Sequence, residues 1–154
     1  MHKIPEITRL IHDNFWIILS FAFGQPAVGK VIDQKFCGEW KYLNKTVYEY
    51  AEVRADRALL EMATQLRVLD DAEKLNDYYK QTGRSPLGEV VQGDGNRTEL
   101  HFRDMTNKVM HGIGYKWQLG DDPKILVISN QPDRWHHAEI SIVALMGLIG
   151  GLMY

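Results

Sequence analysis

The sequence has only one cysteine, Cys37, in 154 residues. A single cysteine excludes an intramolecular disulfide framework and a multi-cysteine zinc site. We interpret Cys37 as a buried or semi-buried thiol, because no signature of a catalytic nucleophile surrounds it. A reducing cytoplasm is therefore the expected location.

A strong excess of either charge is also missing from the chain. Its 18 basic and 20 acidic residues give a formal net charge of −2, which provides no general attraction to nucleic acids or anionic membranes. Hydrophobic residues make up 45% and charged residues 25%, as in soluble globular proteins. This composition excludes a disordered tail, a collagen-like fibre and a polytopic membrane protein. The length predicts a single domain over residues 1–154.

Signals for a membrane are scarce in the sequence. The first ten residues lack an uninterrupted apolar core, so we expect no signal peptide. The C-terminal stretch Ile140–Tyr154 has 15 residues without a charge, whereas a spanning helix needs about 20. We interpret this stretch as a buried core helix or a homodimer face, and a tail anchor is the alternative.

Helical spacing of apolar residues begins near the N-terminus. In the apolar segment Ile4–Phe23, apolar residues first recur at helical spacing and then Phe15–Leu19 is apolar nearly all round, which predicts a central, buried helix. Gly24, Gln25 and Pro26 follow it and predict its end. A second helix is predicted from about Trp40 to Leu69, where apolar residues recur at spacings of three and four.

The chain between residues 70 and 112 alternates helix and turn signals. A polar helix is predicted from Asp70 to Gln81, and Leu87–Val91 could form a short strand. Asn96, with Glu99 three residues later, resembles an N-cap and predicts a third main helix that runs to about His111.

The pattern changes to a period of two after residue 112. Three strand-like segments are separated by short turns: Ile113–Leu119, Lys124–Ser129 and Trp135–Ile142. Short turns between such segments predict an antiparallel β-meander. The expected fold is α+β, with a helical body over about 1–112 and the meander with a C-terminal apolar helix over about 113–154.

Arg54 stands out on the second predicted helix. It falls between Val47 and Ala58, near the middle of the apolar stripe, where Gln65 also lies. A snorkelling arginine at the mouth of a groove, or an Arg54–Glu61 pair, would explain this position. The alternative is an inward guanidinium that meets a polar cluster on another helix, since an isolated buried charge is too costly.

The third main helix carries the most suggestive side chains. Its apolar face is formed by Phe102, Met105 and Val109. Asp104, Asn107 and His111 lie on nearly the opposite face, and Arg103 lies beside them. This face is either solvated surface or a polar site that faces Arg54 or a second copy of the chain, in which His111 could change its charge near neutral pH.

No spacing typical of a metal site occurs in the sequence. His136 and His137 are adjacent on a predicted strand, so their side chains should point to opposite faces and could not easily share a metal ion. We expect neither a metal nor another cofactor. Tyr115, Trp117 and Trp135 could line a ligand groove, but packing in the core is the favoured interpretation.

The segment Arg103–His111 resembles the HEPN superfamily (higher eukaryote and prokaryote nucleotide-binding domains). The family motif has an arginine, often followed by a polar residue, and then a histidine after four to six intervening residues. Here seven residues separate Arg103 from His111, and Asn107 supplies a polar residue four positions before the histidine. The string Asn-Lys-Val-Met-His also resembles a motif of bacterial HEPN-like proteins that end in a β-meander. The resemblance covers roughly residues 40–112.

This resemblance implies a metal-independent endoribonuclease of a toxin–antitoxin or phage-defence system. His111 would then act as general acid or base, and Arg103 or Arg54 would stabilise charge on the phosphate. Asp104, Asn107 and Lys108 would complete the site, which in HEPN-like proteins usually forms between two protomers.

The wider Arg–His spacing favours a second interpretation. Only Arg97, Arg103 and Lys108 form a basic cluster, which is little for an RNA-binding protein. The expected function is therefore a dimeric binding or interaction module, with the ribonuclease as alternative. Its expected partners are a second copy bound through apolar helix faces, RNA, or a cognate antidote protein, but no membrane.

Overall fold

The computed structural model describes residues 3–36, 38 and 42–152, and it gives no side-chain detail for Lys3 and Ile4. Cys37, and Trp40 at the expected start of the second helix, lie outside the described residues. The helices are α1 (Lys3–Lys35), α2 (Leu43–Glu73), α3 (Leu75–Thr82), α4 (Phe102–His111) and α5 (Ile142–Gly150). The strands are β1 (Gly88–Gln92), β2 (Arg97–Leu100), β3 (Gly114–Gln118), β4 (Lys124–Ile128) and β5 (Trp135–Ser141).

The strands form one five-stranded sheet in the order β2-β1-β5-β4-β3. Every neighbouring pair is antiparallel, so the α+β class and the late meander β3-β4-β5 are confirmed. The short strand expected near Leu87–Val91 is present as β1. It pairs with the far side of β5, so the last strand lies at the centre of the sheet.

The helices pack around α2. Helix α1 lies along α2, α4 packs against the second half of α2, and α5 contacts both α1 and β5. The core between them contains fully buried aliphatic residues from every layer, among them Ile18, Leu66, Met105, Ile140 and Leu145. The position of α4 against α2 is what brings the predicted polar residues to a partner.

Helix α1 continues past the predicted stop. Pro26 lies inside the helix, which ends only at Lys35. Proline removes one helical hydrogen bond, yet Gln25 and Ile32 are buried against the rest of the protein, with 7% and 6% exposure. Packing of this long inner face therefore outweighs the local stop signal.

The third main helix does not start after Asn96. Asn96 belongs to the turn between β1 and β2, where its backbone and side-chain nitrogens each donate to Asp94 at 2.9 Å. Gly95 has φ +87°, a conformation that suits glycine in a hairpin turn. The residues after this turn form β2, and α4 begins at Phe102 with His101 as N-cap.

In the described part of the chain, α1 and not the C-terminal stretch has the length and hydropathy of a membrane-spanning helix. Among the described residues, the helix Pro5–Lys35 is long and apolar enough to cross a membrane by length and composition, with a mean hydropathy of 1.5 in its most apolar 18-residue window. The C-terminal stretch instead ends β5 and forms a nine-residue helix, α5. Ile142, Leu145, Leu148 and Ile149 of α5 are buried, as the core-helix interpretation requires.

Candidate functional site

The two faces predicted for α4 are present in the structure. Phe102, Met105 and Val109 are buried, with 4% exposure or less. Asp104 and Asn107 are partly exposed. The polar side of α4 therefore lies at the border between α2 and solvent.

Arg103 is engaged by two carboxylates of α2. Its guanidinium donates to Asp70 at 2.5 Å and to Asp71 at 3.1 Å. Hydrogen bonds to Asp70 and then to Asp71 raise the pKa of Arg103 above its ordinary value, so the guanidinium stays charged. Asp70 is 5% exposed and also accepts the backbone N–H of Asn76 at 2.8 Å.

The other polar residues of α4 also have partners. Asn107 accepts a hydrogen bond from Arg67 of α2. Lys108 lies 3.4 Å from a carboxylate oxygen of Asp104, and its ammonium group is 4.5 Å from the centre of the Trp135 ring. Lys108 thus joins α4 to β5. The contacts between α4 and α2 form a polar clamp, which we define as Arg67, Asp70, Arg103 and Asn107.

Arg54 does not reach this clamp. It precedes Arg67 by 13 positions on α2, or about 20 Å along a helix. Arg54 is exposed and lines a shallow groove beside α1. The ion pair in this groove joins Arg57 to Glu61 at 3.0 Å, so the Arg54–Glu61 pair that we considered is also wrong.

The inward polar residue of the α2 stripe is Gln65. Its side-chain oxygen accepts a hydrogen bond from Asn14 of α1 at 3.0 Å. The guanidinium that meets α4 comes from Arg67, which the apolar stripe of α2 did not predict. Leu66 and Leu69 of the apolar stripe lie near Arg67 in the sequence, but only the packing of α4 shows that the Arg67 side of α2 is covered.

His111 lies apart from the arginine with which it was grouped. It is the last residue of α4 and is exposed, eight positions and about 12 Å along the helix axis from Arg103. Within the described part of the chain its side chain has no hydrogen bond or ion pair. The imidazole is accessible to a ligand, but the guanidinium of Arg103 is directed to α2.

The adjacent histidines of β5 do not point to opposite faces as expected. The Nδ1 atoms of His136 and His137 are 2.7 Å apart. A β-bulge explains the difference, because Val91 and Gln92 pair with His137 and Trp135 and leave His136 as the additional residue. Among the described residues, no group of three histidine, cysteine or acidic side chains could hold a metal ion.

The aromatic residues of the meander serve mainly in packing. The Trp117 ring lies edge-to-face with Phe21 at 5.1 Å, and its Nε1 donates to Asp56 at 2.7 Å. The Tyr115 hydroxyl donates to the carbonyl of Val109 at 2.8 Å. Burial raises the pKa of Tyr115 to about 12, so the phenol remains a donor.

A cavity of about 420 Å³ lies at the opposite end of α4 from His111. Residues from α3, the following loop, the start of α4 and α5 line it: Asn76, Tyr79, Lys80, Gly83, Arg84, Ser85, Leu87, His101, Phe102 and Leu148. None of these lining residues is acidic. The residues of this segment predict only the end of a helix; the available signal was a pair of basic residues four positions apart, Lys80 and Arg84.

Comparisons with protein-family models, curated proteins and solved structures give no match to this chain.

Proposed function

We propose that this protein is a small cytoplasmic interaction module that acts as a homodimer and does not catalyse a reaction. The observation that carries the proposal is the outer surface of α1. A helix in a small domain normally turns its large apolar residues inward, but α1 also carries large aromatic residues on a line of exposed positions opposite α2. Trp16 and Phe23 on this line are 69% and 44% exposed.

The residues of this line follow a coiled-coil spacing. The outer seam consists of Asp13, Trp16, Ser20, Phe23, Ala27 and Lys30, all exposed. Their separations alternate between three and four, as in the contact positions of paired helices. The seam is therefore suited to a helix rather than to a flat protein surface.

The seam is complementary to an antiparallel copy of itself. Opposite positions in such a pair are those whose numbers add to the same sum, which places Trp16 against Ala27. It also places Phe23 against Ser20, so each large side chain meets a small one. At the two ends Asp13 faces Lys30 of the second copy, and opposite charges meet. We therefore assign the second copy as the occupant of this face.

A lipid bilayer is a poorer occupant of α1. The second half of α1 packs along the first half of α2, where the rings of Phe21 and Tyr48 are 5.5 Å apart. That half of α2 exposes Lys45, Glu49 and Arg57. Insertion of α1 in this fold would take these charges into lipid, at a cost of a few kcal/mol each.

The polar clamp supports a module without catalysis. Arg103 is paired with two aspartates and Arg67 donates to Asn107, so each guanidinium already has a partner within the fold. We keep the HEPN-like relationship of the segment Arg103–His111 as part of the proposal. RNA or a cognate antidote protein remains the proposed partner class of the dimer.

Reversal of charge at the ends of the seam tests the dimer. We expect Asp13→Lys and Lys30→Asp each to weaken dimerisation by about tenfold, because each places like charges opposite one another. The double variant should restore the dimer, since it exchanges the two signs. Sedimentation equilibrium over a range of protein concentrations measures the dissociation constant.

Asp33→Lys is the matched control. It makes the same charge change on an exposed residue of α1, but on a different side of the helix, and it should leave the dissociation constant unchanged. A monomer at all concentrations, or a double variant as weak as the single ones, would contradict the proposed seam.

The endoribonuclease is a second candidate, favoured by the accessible imidazole of His111. Incubation of total RNA with the purified protein, with and without a chelator, tests it. We expect the same background for the wild type and for His111→Ala. Cleavage that His111→Ala removes, and that persists in chelator, would make the protein an enzyme.

A further inference from the structure

The cavity at the N-terminal end of α4 has the properties of a site for a small molecule. Its volume of about 420 Å³ is within the usual range for ligand pockets. The rings of Tyr79 and Phe102 are edge-to-face with centroids 5.2 Å apart. Leu87 and Leu148 extend the apolar wall and are almost fully buried.

The charged groups of this cavity are all basic, although acidic residues outnumber basic ones in the chain. Arg84 and Lys80 both line it. Arg84 donates a hydrogen bond to the carbonyl of Gly147 and lies 5.2 Å from the centre of the Tyr79 ring. This fixes the guanidinium at the wall while its other N–H groups remain available. His101 and Phe102 add the positive end of α4, whose N-cap makes no side-chain hydrogen bond.

The hydroxyl of Tyr79 adds a hydrogen-bond donor to the cavity. The residue as a whole is only 8% exposed, its ring forms part of the wall, and its hydroxyl is not among the buried polar atoms without a partner in the described part of the chain. The hydroxyl is therefore open to a ligand. Burial raises the pKa of this phenol, so it can donate a hydrogen bond at any physiological pH.

We propose that this cavity binds a small aromatic carboxylate. The aromatic body lies against the apolar wall, and the carboxylate meets Arg84, Lys80 and the Tyr79 hydroxyl. A monoanion suits the site better than a dianionic phosphate, because Arg84 is the cation fixed at the wall while Lys80 is exposed. This site goes beyond the proposed dimer and does not depend on it.

Binding of naphthalene-2-carboxylate to the wild-type protein tests the assignment, with naphthalene-2-carboxamide as the uncharged ligand of the same shape. Calorimetry measures affinity, and backbone NMR shifts locate the ligand. We expect the carboxylate to bind at least tenfold more tightly than the carboxamide. The amide shifts should concentrate at Gly83, Ser85 and His101.

Two conservative variants separate the proposed contacts from folding. Tyr79→Phe keeps the ring and removes the hydroxyl, and Lys80→Gln keeps most of the side-chain length without the charge. Each should weaken carboxylate binding by about threefold to tenfold and weaken carboxamide binding less, because hydrogen bonds to a charged acceptor are stronger. The controls are Tyr78→Phe, at an exposed neighbour outside the cavity, and Lys116→Gln on β3.

Several results would overturn the proposal. These are equal affinity for carboxylate and carboxamide, tighter binding of 2-naphthyl phosphate, shifts confined to other surfaces, and equal losses in the variants and their controls. If the seam variants did not change the oligomeric state, the dimer proposal would fail, but the binding experiments on the cavity would still stand. The two proposals can therefore fail separately.

Discussion

Asp70 shows how one buried carboxylate can hold three helices. It lies near the end of α2, receives the guanidinium of Arg103 from α4, and accepts the backbone N–H of Asn76 in the first turn of α3. The negative charge also suits the positive end of α3. The neighbouring Asp71 contacts the same guanidinium but is 68% exposed.

These two aspartates give a stability prediction with its own control. Asp70→Ala should lower the free energy of unfolding by about 2 kcal/mol or more, because it leaves a buried N–H and a guanidinium without their acceptor. Asp71→Ala should cost less than about 0.5 kcal/mol, since exposed ion pairs contribute little. Urea unfolding followed by circular dichroism measures both. Equal losses of unfolding free energy in the two variants would show that the burial of Asp70 does not strengthen its contribution.

Glu139 predicts a dependence of stability on pH. Burial raises its pKa, but hydrogen bonds from Arg97 and His137 outweigh burial, and the pKa is lowered from its ordinary value of 4.5. The folded protein therefore favours the charged carboxylate. Its contribution is present above the ordinary pKa and is lost as the pH falls through the lower, folded value.

We expect Glu139→Gln to destabilise the protein by about 1 kcal/mol at pH 7. The difference from the wild type should shrink below pH 4.5 and vanish once Glu139 is protonated in the folded state. Urea unfolding at a series of pH values measures this difference. Glu89→Gln is the control at the other, more exposed partner of Arg97, and its effect at pH 7 should be smaller. A difference that persists unchanged at low pH would contradict the assignment.

For single residues, the sequence predicts which face of a helix a side chain lies on better than it predicts which residue that side chain contacts. The division of α4 into a buried side with Met105 and a polar side with Asn107 follows from helical periodicity, and the structure confirms it. The arginine that contacts this polar side cannot be predicted from periodicity. Arg54 and Arg67 lie on the same helix, and only the position of α4 along α2 determines which of them is in reach. The hydroxyl of Tyr79 in the cavity has no local signal for the same reason.

At the scale of elements, β1 depends on the absence of a side chain at its first residue. A Cβ added to Gly88 would lie 1.8 Å from the backbone carbonyl oxygen of Glu139 on β5. A backbone atom in the central strand cannot move aside as a flexible side chain could. The pairing of β1 with β5 therefore requires glycine at this position.

Gly88→Ala should destabilise the protein by about 3 kcal/mol or more, because β1 and β5 must separate to admit the methyl group. Gly114→Ala is the control. Gly114 also opens a strand, but an added Cβ there meets nothing within 4 Å. Thermal unfolding of both variants compares them, and similar midpoints would contradict the close approach at Gly88.

The errors in element boundaries have two physical causes. Pro26 is a valid local stop signal, but burial of Ile32 against the rest of the protein carries α1 through it. Asn96 is a residue that often caps helices, but here it hydrogen-bonds to Asp94 in the turn that also contains Gly95. Local patterns identified most elements in the described chain, whereas these two required knowledge of what packs nearby.

At the scale of the whole molecule, the sheet determines where the fold is most stable. Strand β5 is hydrogen-bonded on both sides, to β1 and to β4, and Ala138 and Ile140 within it are fully buried. Strand β2 is at one edge of the sheet and β3 at the other. Local opening can therefore release the edges without disturbing the centre.

Hydrogen exchange measured by NMR tests this gradient. The amides of β5 should exchange only through global unfolding and show the largest protection. Those of β2 should exchange at least about tenfold faster, because opening an edge strand costs less free energy. Uniform protection across the sheet would indicate that it opens as one unit.

The central place of the final strand also constrains how the chain is made. Synthesis proceeds from the N-terminus, so the β1-β2 hairpin and the β3-β4 hairpin both leave the ribosome before Trp135–Ser141 does. Until then each hairpin has one strand edge without its neighbour, and such edges invite wrong associations during translation. The nascent protein must therefore delay completion of its sheet until nearly the last described residues have emerged.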